Sequence, residues 1–126
     1  MRLIVHVDDV PYTSIRERYP DAPKGEEVYF KDLTKATGAE DVSVGVGWQK
    51  PGEVHRAHHH PDASEFYYIL EGSGEITVGG STVQVRPGAF CYIPTGVSHK
   101  VINNTNETLV LLYGYNRGTH QTIWDE

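Results

Sequence analysis

Gly52-Glu-Val-His55-Arg56-Ala-His58-His59-His60-Pro-Asp-Ala-Ser-Glu65-Phe-Tyr67-Tyr-Ile69-Leu70 decides how this chain is read. Residues two apart on an extended strand share a face, so His58 and His60 present their imidazoles on one side, about 7 Å apart along the chain. Pro61 to Ser64 form a short loop, and Glu65 opens the next β-like run, Glu65 to Leu70. A tight return between two strands can set the Glu65 carboxylate beside the imidazoles. A further histidine, His99, opens a later run just after Pro94-Thr95-Gly96. Taken singly, each of these is most simply a polar residue on a β protein. Together they make a three-nitrogen, one-oxygen set that suits divalent Fe, Mn, Zn, Ni, Co or Cu. Four protein ligands leave two positions of an octahedral ion open to substrate or oxygen.

The flanking sequence keeps the period of a strand. Val42, Val44, Val46 and Trp48 alternate with Ser43, Gly45 and Gly47, which predicts a strand with the apolar set, Trp48 included, turned inside. Further β-like runs cover Gly74 to Val78, Thr82 to Val85, Ala89 to Ile93, His99 to Asn103 and Leu109 to Tyr115. Gly79-Gly80 between two of them is a two-residue hairpin signal. Short strands with turns every eight to twelve residues predict an all-β sandwich or barrel. Upstream, residues 1–40 read as a mixed arm. Leu3 to Val7 and Val28 to Phe30 are expected as short strands. Thr13 to Tyr19 and Asp32 to Thr37 are expected as helical turns, the second ended by Gly38.

Composition narrows the function. A length of 126 residues fits one domain with an arm. A net charge of −6 argues against a nucleic-acid binder, which needs a basic face. The single Cys91 excludes an internal disulfide framework and takes thiolate off the ligand list. Arg2, His6, Asp8 and Asp9 interrupt any apolar leader, and no window approaches the ~18–20 apolar residues of a spanning helix. The expectation is a cytoplasmic protein with no membrane partner.

The spacing of ten residues resembles the cupin superfamily. Gly52, His58, His60, Glu65 and Gly72 fit its first motif, and Gly88, Pro94, Gly96, His99 and Asn103 fit its second. The resemblance covers about residues 42–115. It implies a small single-domain cupin: a jelly-roll β-barrel (double-stranded β-helix) over residues 41–116, with the arm at 1–40 and a tail at 117–126. It also implies one divalent transition metal held by His58, His60, Glu65 and His99. Tyr67 and Ile69 share the parity of Glu65 and are expected to face the interior, whereas Phe66, Tyr68 and Leu70 face outward and need cover. Tyr67 is the candidate catalytic residue, as a hydrogen-bond partner of substrate or as acid or base. Glu65-Phe66-Tyr67 resembles the Glu-x-Tyr arrangement of cupin lyases that act on dimethylsulfoniopropionate, where the tyrosine serves as base. Trp48, His55, Arg56 and Ile69 are the candidate substrate pocket. His59 has the wrong parity for the site, and His6 and His120 are expected at the surface. The resemblance implies a metal-dependent enzyme acting on a small oxygen-rich molecule, as dioxygenase, lyase, isomerase or cyclase. The alternative is a binding or sensing domain without turnover. Cupin barrels commonly pair, so a homodimer is expected.

Overall fold

The computed structural model describes residues 2–126. Eleven strands form two antiparallel sheets. In chain order they are β1 (Thr13–Ser14), β2 (Tyr29–Asp32), β3 (Ser43–Gln49), β4 (Val54–His59), β5 (Glu65–Glu71), β6 (Gly74–Val78), β7 (Ser81–Val85), β8 (Phe90–Ile93), β9 (His99–Ile102), β10 (Leu109–Tyr115) and β11 (Ile123–Trp124). One sheet has the order β1-β2-β3-β10-β5-β8, the other β11-β4-β9-β6-β7. Their inner faces meet in one core, where Ile69, Ile93, Leu109 and Val101 are fully buried. This is the all-β jelly roll that the turn spacing and the resemblance imply. Among the described residues no helix is long and apolar enough to cross a membrane.

Gly79-Gly80 turns β6 into β7 as expected: Val78 pairs with Ser81, and Gly79 takes φ 57°, a region costly for other residues. Two short helices belong to the arm. Helix α1 (Ile15–Arg18) starts where the Ser14 hydroxyl accepts the Glu17 N–H at 3.1 Å. Helix α2 (Leu33–Thr37) is capped by Asp32, which accepts the Lys35 N–H at 3.2 Å, and it stops at the left-handed Gly38. Strand β2 pairs with β3, so the arm continues the first sheet.

Two expectations need correction. Leu3 to Val7 form no strand; instead Val7–Asp9 make a single 3-10 turn in which the His6 ring accepts the Asp8 N–H, and Ile4 is 92% exposed. The alternation in β3 is real but its faces are reversed. Gly45, Gly47 and Gln49 stand opposite the inward residues Tyr113, Leu111 and Leu109 of β10. Val44, Val46 and Trp48 therefore turn outward, and the arm covers them. The Trp48 ring stacks on Tyr29 (centroids 5.9 Å, planes 5° apart) and meets Tyr12 edge-on. The glycines face in because bulky β10 side chains occupy that space: a Cβ on Gly45 would collide with the Tyr113 hydroxyl.

Candidate metal centre

His58 lies near the end of β4, His60 just beyond it, Glu65 at the start of β5 and His99 at the start of β9. Antiparallel pairing sets His58 directly opposite His99. One ligand atom from each of the four residues lies within 4.8 Å of all the others, and every one of the four side chains is buried.

Hydrogen bonds fix which nitrogen faces inward. Nδ1 of His58 lies 2.7 Å from the Arg56 carbonyl, Nδ1 of His60 lies 2.9 Å from the Gln121 carbonyl, and Nδ1 of His99 lies 2.9 Å from the Val97 carbonyl. A carbonyl oxygen only accepts, so each Nδ1 carries a proton and donates it. The neutral ring then presents the lone pair of Nε2. Glu65 Oε1 sits 3.2 Å from His60 Nε2 and 3.0 Å from His99 Nε2. Among the described residues these three atoms are buried with no hydrogen-bond partner. Acceptors aimed at one another repel unless a cation or a proton lies between them. The residues therefore fit a divalent ion, and the carbonyls orient the rings as the outer shell of a metal site does.

The electrostatics point the same way. Burial, then the neighbouring rings of His55 and His99, push the His58 pKa well below its ordinary value, so it stays neutral. Burial pushes the Glu65 carboxyl up. The neighbouring His60 and His99 outweigh that and hold it at about 2. Glu65 is thus an anion throughout the neutral range.

Residues 49–115 match the family model of the cupin domain. The chain belongs to the cupin family. It is 29% identical over 112 residues to oxalate decarboxylase OxdC of Bacillus subtilis, covering 82% of this chain and 29% of OxdC. It is 33% identical over 103 residues to the dimethylsulfoniopropionate lyase DddW of Ruegeria pomeroyi, covering 80% of this chain and 66% of DddW. It is 36% identical over 62 residues to an oxalate-binding protein of Thermotoga maritima, covering 49% of this chain and 51% of that protein. A solved structure of the B. subtilis oxalate decarboxylase superposes with a TM-score of 0.69 at 25% identity, over 82% of this chain and 28% of that one. The chain thus spans less than a third of OxdC and just under two thirds of DddW.

In this cupin a cavity opens beside Glu65, bordered by His55, Tyr67, Phe30, Tyr113 and Tyr115 among others. Tyr67 is buried on the Glu65 face, as its parity predicts, with its ring 6.1 Å from that of His99. Burial, then the Glu65 charge, raise its pKa well above the usual phenol value, so its hydroxyl keeps its proton. His55 reaches the cavity against strict parity. A register shift between His55 and His58 puts both rings on the inner face, 4.3 Å apart. Its Nδ1 meets the buried Glu26 carboxylate at 3.2 Å.

The other expected pocket residues sit differently. Trp48 touches the cavity wall, but its ring belongs to the outer stack with Tyr29. Ile69 is packed in the core away from the cavity, and Arg56 lies against Gly25 outside it. His59 points away from the site, to Asp125 at 2.9 Å.

The tail of the cupin supplies what sequence reasoning missed. Strand β11 pairs Trp124 with His58, and the two rings lie 5.1 Å apart. His120 is half-buried, not exposed as expected. It stacks on Tyr115 at 3.9 Å, packs 4.8 Å from His60 and hydrogen-bonds the Tyr19 hydroxyl. Burial lowers its pKa to about 4. A two-residue strand has no readable period, so only the bulky Trp124 in a polar tail hinted at a docked segment.

Proposed function

We propose that this cupin is a metal-dependent enzyme that binds one divalent transition metal through His58, His60, Glu65 and His99 and cleaves a small oxygen-rich substrate as a lyase. The observation that carries this is the convergence of the Glu65 carboxylate and two unpartnered Nε2 lone pairs in a buried site. A bound ion would supply Lewis-acid polarisation of substrate oxygens and hold the substrate in place. The chain supplies the rest. Phe30, Tyr113 and Tyr115 give an apolar wall that excludes water. Tyr67 holds a proton beside the centre, ready to donate a hydrogen bond to a developing oxyanion or to take part in proton transfer. The lyase reading is supported by Glu65-Phe66-Tyr67 and by the likeness to OxdC and DddW. Manganese is a reasonable resident, since oxalate decarboxylase of B. subtilis has Mn(II) centres.

The test is elemental analysis of purified protein, followed by turnover assays on oxalate, dimethylsulfoniopropionate and related hydroxy and keto acids with oxygen uptake monitored. Near-stoichiometric metal and product without oxygen uptake are expected. Protein that retains no transition metal after metal-supplemented growth would overturn the reading. Oxygen uptake coupled to turnover would replace lyase by dioxygenase.

A second reading is a metal-bearing binding domain without turnover. It is favoured by the 36% identity to an oxalate-binding protein. Tight binding across the panel with no product would select it.

We also propose that the cupin pairs as a homodimer. Tyr68, Leu70, Phe90 and Tyr92 form an outer patch on β5 and β8, exposed by 40%, 43%, 65% and 60%. The arm covers β3 and leaves this patch open. Sedimentation showing only monomer at micromolar concentration would overturn it.

A further inference from the structure

A second concavity lies beside the metal cavity, and its chemistry is different. It is bordered by Arg18, Tyr19, Asp32, Tyr113, Tyr115 and His120. Tyr19, Tyr113 and Tyr115 also border the metal cavity, so the two spaces meet at these three rings. Tyr115 and His120 both pack against the ligand His60, with ring centroids 5.1 and 4.8 Å away.

Among the described residues Arg18 is the one formal cation of this concavity. Its side chain is 14% exposed, and its guanidinium carbon lies 4.2 Å above the Phe30 ring. Among the described residues its side chain makes one hydrogen bond, from Nη2 to the Tyr113 hydroxyl at 2.7 Å. The Asp32 carboxylate stands 3.7 Å from the same nitrogen, too far for a hydrogen bond, and its Oδ1 is already committed to the start of α2. A guanidinium has five N–H donors in a planar fork. Nη2 carries two hydrogens, one on each two-donor edge of the group (Nε with Nη2, and Nη1 with Nη2); Tyr113 takes one of them, so the other edge keeps two parallel N–H bonds for a carboxylate. Phe30 and Tyr113 hold the plane of the group, which lowers the entropy lost when a ligand binds.

We infer that Arg18 is the anion anchor of the metal site, and that the substrate carries a carboxylate held there while its reacting end reaches the metal centre past Tyr113 and Tyr115. This rests on the metal-dependent reading above and narrows its substrate class to organic acids with a second oxygen-bearing group.

The test uses glutarate as probe and its uncharged diamide as control. Binding is measured by calorimetry and by the NMR shift of the Arg18 Nε resonance, in chelator-treated and in Mn(II)-loaded protein. The wild type should prefer glutarate in both forms, and the Arg18 Nε resonance should move. Arg18→Gln should weaken glutarate roughly tenfold or more, with Arg18→Lys intermediate. Asp32→Asn, which keeps a good cap for α2, should hold or strengthen binding and stands as the second variant if Arg18→Gln fails to fold. Equal affinities in wild type and Arg18→Gln, no preference over the diamide, or a loss of binding in Asp32→Asn would each overturn the anchor. The chelator-treated series does not involve the metal. A protein that holds no metal but shows the Arg18 effect sinks only the enzyme reading, and a protein that holds metal without the Arg18 effect sinks only the anchor.

Discussion

Nδ1 of His60 donates to the backbone carbonyl of Gln121, 2.9 Å away and 61 positions along the chain. The last residues of the chain thus orient a residue of the metal centre, and β11 lies over His58 in the same way. A chain cut after Gly118 loses the carbonyl that sets the His60 tautomer and the ring of Trp124. Outer contacts of this kind are worth about 10–100-fold in metal affinity. The truncated protein is expected to lose affinity for Mn(II) or Zn(II) by that factor in a chelator competition, while its far-ultraviolet circular dichroism stays β-type. Unchanged affinity would mean that the tail does not orient the ligand.

Glu65→Gln separates metal binding from folding. In the metal-free protein Glu65 Oε1 faces the lone pairs of His60 and His99 at 3.2 and 3.0 Å. An amide nitrogen in that place donates one proton to each ring, which removes both the buried charge and the repulsion. The variant is expected to unfold at a higher temperature than the wild type when both are metal-free. It should also lose the extra stabilisation that metal gives the wild type, which grows with metal concentration over Kd. Thermal scans with and without metal check both halves. A metal-free variant less stable than wild type would show that the site is satisfied without an ion.

Metal affinity should fall as pH falls. Glu65 stays ionised down to about 2, so protons compete with the ion at the imidazoles, and binding releases them. The tail adds a second acid effect. Burial opposes ionisation of Asp125, and the His59 ring and the Ser98 hydroxyl outweigh it; the Ala57 N–H and Lys100 stabilise ionised Glu126. Both folded pKa values lie below their ordinary values. Their stabilisation is therefore present above the unfolded values near 4 and is lost as pH falls through the folded ones. Hydrogen exchange should show Ile123 and Trp124 opening below about pH 4, ahead of β10. Asp125→Asn with Glu126→Gln should weaken that acid step. Opening of tail and barrel together would sink the idea.

The barrel was legible in the sequence because turns and ten spaced residues repeat one pattern, and each strand from β4 to β10 pairs within it. The four metal-site residues were legible because His58, His60 and Glu65 lie close in sequence at strand ends and the cupin resemblance adds His99, which β9 pairs opposite His58. The orientation of β3 was not. Alternation reports two faces but not which is inner, and here Tyr113 and Leu111 fill the interior opposite Gly45 and Gly47. His55 was legible as a candidate pocket residue but not by its parity, since a bulge restores its inward direction. Tyr19, His120 and Trp124 reach the site through tertiary packing of short segments, which leave no period to read.

Gly45 gives the last test, because it ties the reversed β3 face to the Arg18 anchor. A Cβ there would collide with the Tyr113 hydroxyl and would lie 2.7 Å from the Lys31 carbonyl. The first neighbour can yield only by moving the partner of Arg18, and the second is backbone. Gly45→Ala is expected to cost about 1–3 kcal/mol by overpacking. It should also weaken glutarate binding, because the Tyr113 hydroxyl no longer holds Arg18 at 2.7 Å. Metal stoichiometry should be unchanged, since the atoms nearest a Cβ there belong to Tyr113 and Lys31 and not to the four metal-site residues. Denaturant melts, calorimetry and elemental analysis on one preparation check the three parts. If Gly45→Ala is as stable as wild type, Gly45 does not face the Tyr113 side of β3.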